Sequence, residues 1–423
     1  MSIAIALCVA SVFATRSGAA REPHSLLLTG AHVLSADGSQ WLENSSVLIV
    51  GEHIEWVAAE RDLHIAKDVE RVELAGSYLV PGLIDLHTHL LLHPYDETSW
   101  DDQVLKESLE LRTIRAVAQA RATLAAGFTT VRELGTEGAG TADVALRDAI
   151  SARIADGPRV FASTRAIVAT GCYGPSGFDP RWQVPKGAQE ADGVDGVRVA
   201  VREQIAAGAD WIKFYADYRR APGAASTPTF SFDEMRAIVD EATSAGVPVA
   251  AHASTDEGAR RAVLAGVATI EHGTDLSEAT LRSMKEHGVA LVPTLAANEA
   301  VARYSGWKQG ETEPARLQHA RETFRRALEV GVTIANGSDA GVFAHGTNAR
   351  ELELLVEYGM KPVDALRSAT LTAARVLRRE KELGSLAPKF TADLVALEAD
   401  PLADIHALRR VKLVIARGRV VRP

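Results

Sequence analysis

Seven times along this chain a helix-like stretch ends at a glycine and a short, β-branched, apolar run begins at once. The junctions are Gly127-Phe-Thr-Thr-Val131, Gly157-Pro-Arg-Val-Phe161, Gly208-Ala-Asp-Trp-Ile212, Gly246-Val-Pro-Val-Ala250, Gly266-Val-Ala-Thr-Ile270, Gly288-Val-Ala-Leu-Val292 and Gly331-Val-Thr-Ile-Ala335. Glycine tolerates the positive φ at which helices commonly stop, so each junction reads as a helix end followed by a strand start. With Gly82-Leu-Ile-Asp-Leu86 in front, eight strands alternate with helices between about residues 80 and 380. Such alternation builds a parallel sheet, and eight is the number that closes a (β/α)8 TIM barrel; a doubly wound open sheet is the alternative.

The intervening segments carry helix signals. Ser231 with Glu234 and Ser254 with Glu257 match the capping box. Asp101 to Ala126 places Val104, Leu105, Leu109, Ile114, Val117 and Leu124 at near-helical spacing, and Pro362 to Leu377 opens on a proline that a first turn accepts. The flanks change period. Ser25–Gly30, Ser46–Val50 and His53–Val57 at one end, and Asp393–Leu397 with Val411–Ala416 at the other, are short strands joined by turns. They predict a small antiparallel β-sandwich assembled from both termini, residues 21–79 plus 385–423, beside a barrel over residues 80–384.

Charge narrows the function. Lys and Arg number 46 against 55 Asp and Glu, a net charge of −9, which disfavours a nucleic-acid binder that works by neutralising phosphates and favours a small-molecule substrate. The two cysteines, Cys8 and Cys172, exclude a disulfide framework and a cysteine-rich metal site. Ile3 to Ala14 is an apolar run followed by Ser17, Gly18, Ala19 and Ala20, too short for a membrane span of about 20 residues. Residues 1–20 therefore read as a secretory signal peptide, although no Lys or Arg precedes the run, and predict a periplasmic or secreted protein with no membrane association after cleavage. Self-association into a homo-oligomer is left open.

A barrel concentrates function at the C-terminal ends of its strands. There the sequence puts His87 and His89 on the first strand, His252 on the fifth, His272 on the sixth and Asp339 on the eighth, with Lys213 inside the fourth. Residues two apart in a strand share a face, so His87 and His89 can serve one ion. Imidazole and carboxylate suit zinc and related metals. One barrel histidine alone is more often a hydrogen-bonded core residue, and Asp339 alone could be a helix cap. Together, four histidines and an aspartate at one end of four strands read as a metal site, since unpaired buried polar groups cost about 1 to 3 kcal/mol each. In Asp210-Trp-Ile-Lys-Phe-Tyr215, alternation puts Trp211, Lys213 and Tyr215 on one face. A buried ammonium must be paired or neutralised, the bland alternative being a salt bridge at the rim.

The string Pro81-Gly-Leu-Ile-Asp-Leu-His-Thr-His89, with Lys213, His252, Glu271-His272-Gly273 and Ser338-Asp339, resembles the amidohydrolase superfamily over nearly the whole mature chain. Thr372-Ala-Ala-Arg375, Gly384-Ser-Leu386 and Ala392-Asp393-Leu394 resemble its exit from the barrel. The resemblance implies a carboxylated Lys213 bridging two divalent ions, zinc being expected, with His87, His89 and Asp339 on one ion and His252 and His272 on the other. Strands four to six look most like the prolidase-like and carboxypeptidase-like, imidazolonepropionase-related branch. Where dipeptidases of that branch often carry Gly-Gly-His after the third strand, this chain reads Thr170-Gly-Cys-Tyr-Gly174, and Tyr173 is the candidate to replace the histidine.

The implied activity is hydrolysis of C–N bonds in dipeptides or N-acyl amino acids by a hydroxide shared between two cations, with Asp339 shuttling the proton. The alternatives are a cyclic amidase or lactam hydrolase, and a non-catalytic ligand-binding barrel. A substrate carboxylate would need a partner near the mouth, for which Tyr215, Tyr218, Arg219 and Arg220 are candidates, the arginines also reading as solvated surface. His345, in a Gly/Ala-rich loop after Asp339, is expected to contact substrate or close the site. Cys172 has no evident base and is not read as a nucleophile.

Overall fold

The computed structural model describes residues 24–59, 69–179, 181–221 and 223–421. The expected signal peptide lies outside them. The fold is mixed α/β, and seven of the eight expected strands form: β1 (Leu83–Thr88), β2 (Phe128–Glu133), β3 (Arg159–Ala162), β4 (Ile212–Tyr215), β5 (Val249–Ala253), β6 (Thr269–His272) and β7 (Ala290–Val292). Within β1–β2–β3 and within β4–β5–β6–β7 the pairing is parallel throughout. Every residue of β1 and β2 is buried, as strands covered on both faces require. Between β3 and β4, Asp210 and Trp211 both donate their N–H to the Ala162 carbonyl.

The eighth segment, residues 331–340, does not form a regular strand. Parallel bridges Leu291↔Ile334 and Thr88↔Ala340 nevertheless seat it between β7 and β1. Its backbone bonds to both neighbours, Ala335 N–H to the Leu291 carbonyl at 3.0 Å and Asp339 N–H to the His87 carbonyl at 2.7 Å, and its side chains add to these: Asn336 Nδ2 donates to the Ile84 carbonyl at 2.9 Å and Ser338 Oγ to Asp85 at 2.5 Å. Gly337 sits where a Cβ would come 2.3 Å from Val292, so the segment is pressed against β7.

Six of the seven junction glycines have positive φ, between 69° and 99°. Gly157 does not; a Cβ there would stand 2.5 Å from the Ile150 side chain, so the constraint is space rather than torsion. The Ser231–Glu234 capping box is present. Its expected counterpart is shifted by one residue: Thr255, not Ser254, caps the next helix, because Asp217 accepts N–H bonds from both residues and the Thr255 hydroxyl as well. The single helix expected over 101–126 is two, Trp100–Lys106 and Leu109–Ala125, broken where Ser108 caps the second. That second helix turns Arg112, Ala116, Ala120, Thr123 and Leu124 inward and leaves Leu109, Ile114 and Val117 exposed, so of its expected apolar face only Leu124 is buried. The stretch from Pro362 is also two helices, Pro362–Ser368 and Leu371–Val376, with Pro362 in the first turn as expected.

Both ends of the described chain enter one connected eight-stranded sheet. Its order is Arg419–Val421, Val411–Ala416, Leu394–Leu397, Tyr78–Pro81, Ser25–Leu34, Trp41–Val50 and His53–Ala59, with Glu70–Glu73 beside Ser25–Leu34. The pairing is antiparallel except where Ser25–Leu34 runs parallel to Glu70–Glu73 and then to Tyr78–Pro81. Gly30, at φ 75°, lies between the two pairings and lets one strand serve both partners. Tyr78–Pro81 leads straight into β1, so the terminal sheet anchors the strand that carries the first two histidines.

Candidate metal centre

His87, near the end of β1, His89 just beyond it and Asp339 in the adjoining eighth segment meet at close range. Asp339 Oδ1 stands 3.2 Å from His89 Nε2 and 3.6 Å from His87 Nε2. His272, at the end of β6, brings Nδ1 to 4.0 Å from Asp339 Oδ2. Ligand atoms of His87, His272 and Asp339 all fall within 4.8 Å of one another. His252, from β5, completes the group with its ring centroid 4.5 Å from that of His272 and stacked 4.3 Å from that of Tyr215. His272 and Asp339 hold φ of 70° and 62°, a conformation costing non-glycine residues about 1 to 3 kcal/mol and typical of functional sites.

Each imidazole is oriented from behind. His89 Nδ1 donates to the Gly135 carbonyl at 2.8 Å, which turns Nε2 toward Asp339. His87 Nδ1 meets Glu271 Oε2 at 2.8 Å, and Glu271 is itself paired with Arg132 at 2.8 Å, both side chains fully buried. His272 Nδ1 meets the Thr294 hydroxyl at 2.7 Å. Asp85 accepts from Ser338, Asn348 and the His87 N–H, knitting the first and eighth segments together. Of these supports the sequence reading quoted Asp85 and Glu271 only as parts of motifs and missed Arg132, Gly135 and Thr294. Asp85 was visible as the one acid inside an apolar strand.

Lys213 points into the same group from β4. It is 1% exposed, and its Nζ has no hydrogen-bond partner among the described residues. Burial lowers its pKa to about 8, assisted by Arg132 and opposed by Glu271. Burial and the Lys213 charge take His87 down to about 4, and burial holds His252 and His272 well below the usual imidazole range, so these rings are neutral and ready to ligate. At His89 burial is overcome by Asp339, which raises the imidazole to about 9. At Asp339 burial is outweighed by His87 and His89, which hold the carboxyl below its ordinary value. The space between His89 and Asp339 therefore favours positive charge. With neutral imidazoles at His87, His252 and His272, an ionised Asp339 carboxylate and an orphaned lysine nitrogen, the donor set fits divalent metal, whose positive charge would take the place of the proton between His89 and Asp339.

Above the cluster lies a cavity of about 170 Å³, lined by Tyr95, Glu137, Tyr173, Tyr215, Tyr218 and Arg316 together with the histidines and Asp339. Tyr173 donates to Glu137 at 2.5 Å, and Trp100 Nε1 reaches the same carboxylate at 2.9 Å. The Tyr173 and Tyr215 rings are 4.7 Å apart, and these two and Tyr218, the three candidate tyrosines, are all on the cavity wall. Arg219 also lines it, with its guanidinium 5.1 Å from the Tyr218 ring centroid. Two candidates lie elsewhere. Arg220 does not line the cavity: it follows the short hairpin strand Asp217–Arg219, and its Nη2 reaches the Pro228 carbonyl at 3.4 Å on the surface. His345 does not line it either: its Nε2 donates to the carbonyls of His89 and Leu92, both at 3.2 Å, bracing the ligand loop from the rear. Tyr95, Glu137, Asn298 and Arg316 were missed because they sit on loops and added helices that no strand period marks. Cys172 is buried, with no imidazole contact recorded among the described residues. A larger cavity of about 1090 Å³ elsewhere is lined by Glu299, Arg350, Glu353 and Arg409, whose charges pair with one another.

The chain matches the amidohydrolase family over residues 78–421. It is 30% identical over 416 residues to ochratoxinase from Aspergillus niger, covering 90% of this chain and 83% of that one. A crystal structure of a Xaa-Pro dipeptidase with bound methionine in the active site superposes with a TM-score of 0.82 at 32% identity, over 94% of this chain and 100% of the other. A prolidase complexed with N-methylphosphonate-L-proline does so at 0.82 and 33%, over 94% and 99%.

Proposed function

Because the chain belongs to the amidohydrolase family, we propose that it is a binuclear metal-dependent hydrolase of C–N bonds in small substrates such as dipeptides or N-acyl amino acids, working at the mouth of a closed (β/α)8 barrel. The similarity to a Xaa-Pro dipeptidase, a prolidase and an ochratoxinase supports C–N hydrolysis. The bridges that seat residues 331–340 between β7 and β1 support closure.

The observation that carries the two-ion reading is Lys213 Nζ, buried without a hydrogen-bond partner among the described residues while its charge acts on His87, His252, His272 and Asp339. A lysine brought down to about 8 has neutral amine available at neutral pH. Addition of carbon dioxide to that amine, with loss of a proton, replaces a costly buried cation by an anionic ligand. His87, His89 and Asp339 would hold one divalent ion, expected to be zinc, His252 and His272 the other, and carboxylated Lys213 would span the two. When bound, such ions supply Lewis acidity toward water and the scissile carbonyl. Glu271, the Gly135 carbonyl and Thr294 fix the rings that ligate. Asp339 accepts the proton of the attacking water and passes it to the leaving nitrogen. Tyr173 and Tyr215 wall the cavity and limit water entry.

Elemental analysis of the purified protein, paired with 13C NMR after labelled bicarbonate, tests the reading. Two divalent ions per chain and a carbamate resonance lost in Lys213→Ala are expected. One ion per chain with an unmodified lysine amine would overturn it.

A further inference from the structure

The two buried arginines among the described residues, Arg112 and Arg132, and the half-buried Arg350 are already spent on partners. Arg132 pairs with Glu271, Arg112 caps three backbone carbonyls, and Arg350 holds three glutamates. Arg316, exposed over more than a third of its surface, is held differently. It lies in the first turn of the helix Ala315–Val330, lines the cavity above the metal ligands, and donates from Nε to Asn298 Oδ1 at 2.6 Å. That is its one hydrogen bond among the described residues. Asn298 belongs to the helix Leu295–Tyr304, so two helices between β7 and the eighth segment supply the pair.

A guanidinium can only donate, which obliges Asn298 to face it with oxygen and to turn Nδ2 elsewhere. Asn298 is 2% exposed, it lines the same cavity, and its Nδ2 has no partner among the described residues. A buried amide donor left unmade is costly, and such a group in a cavity wall points to a ligand that completes it. A neutral amide orients the guanidinium without cancelling its charge. Glu137 and Asp339, on the same cavity, would repel an anion placed near them, leaving the arginines of the wall as positions for one. Of the two, Arg219 has its guanidinium 5.1 Å from the Tyr218 ring centroid, whereas Arg316 is oriented by a buried amide.

We propose that Arg316, positioned by Asn298, is the residue that selects substrates bearing a free carboxylate on the leaving group. The inference rests on the C–N hydrolase reading and names the substrate feature that the site reads. It adds to the candidates Tyr215, Tyr218 and Arg219, which line the same cavity, a helix pair that the strand pattern did not mark. A guanidinium edge with a neighbouring N–H offers a planar carboxylate two directed, charge-assisted bonds.

The test compares acid with amide at one otherwise constant structure. Binding of L-leucine and L-leucinamide to the metal-replete protein is measured by calorimetry, alongside kcat/KM for leucyl-leucine and leucyl-leucinamide. Wild type should favour the acid about 10- to 100-fold, the range expected of charge-assisted bonds. Arg316→Gln should bring the acid-to-amide ratio near one, Arg316→Lys should restore part of it, and Asn298→Ala should lower it without abolishing it. A wild type without preference, or an Arg316→Gln variant that keeps the preference, overturns the proposal. Preferential binding of the acid through Arg316 with no turnover of either peptide would instead count against the hydrolase reading and leave this inference standing.

Discussion

His87 and Glu271, 184 positions apart in the chain, share a buried 2.8 Å hydrogen bond from imidazole Nδ1 to carboxylate Oε2. Glu271 is ionised, its pKa brought down to about 2 because Arg132 and His87 outweigh the cost of burial. The carboxylate accepts the Nδ1 proton and so leaves Nε2 as a lone-pair donor toward Asp339. Glu271→Gln would set an amide N–H against that position or against Arg132, forcing either the wrong tautomer or an unpaired cation. Metal affinity is expected to fall about 10- to 100-fold, measured by competition with a chromophoric chelator. Unaltered affinity in a folded Glu271→Gln protein would refute the orienting role.

Asp339→Asn should separate metal binding from turnover. The amide keeps an oxygen for coordination but cannot carry the proton between water and leaving group. The expected loss in kcat is about 100- to 10,000-fold with most of the metal retained. Full activity in the substituted enzyme would remove Asp339 from the proton path.

His345→Ala tests the bracing role that replaces substrate contact. Burial takes this imidazole down to about 4, so it is neutral and donates one N–H to two carbonyls of the ligand loop. Removing it should cost about 1 to 3 kcal/mol in urea unfolding, with KM little changed. A large rise in KM at unchanged stability would restore the substrate role.

Asp143 gives the protein a pH-dependent weakness remote from the ligands. Its carboxylate accepts N–H bonds from Thr164 and Val144, but burial dominates and lifts its pKa to about 6 from 3.8. The folded state therefore binds more protons than the unfolded state between those values, and stability falls as pH rises through that window. The drop is about 3 kcal/mol from this group. The stability difference between wild type and Asp143→Asn should shift by that amount between pH 4 and 7, in favour of the variant at the higher pH. A difference flat across that range would show that Asp143 does not titrate as described.

Glycine punctuation located the strands because a helix that stops on positive φ leaves a mark in the text, and ligands spaced on strand ends followed from it. The eighth segment was placed but not shaped correctly, since Asn336, Ser338 and Asp339 answer to partners 250 residues away. The second long helix shows the opposite failure. Its apolar residues looked like a core face, yet Arg112 enters the interior because three carbonyls, of Leu91, Thr136 and Glu137, await it there. Arg316 and Asn298 carried no periodic signal, and only the packing of their helices over the cavity brings them to the ligands.

The sheet that takes in both ends of the described chain also ties them to the site. Tyr78–Pro81 is flanked by Ser25–Leu34 and by Leu394–Leu397, and the next residue, Gly82, donates its N–H to the Asp393 carbonyl at 2.7 Å. The strand that bears His87 is therefore gripped at its root from two sides by segments more than 300 residues apart, and loosening either grip would be felt at the imidazole.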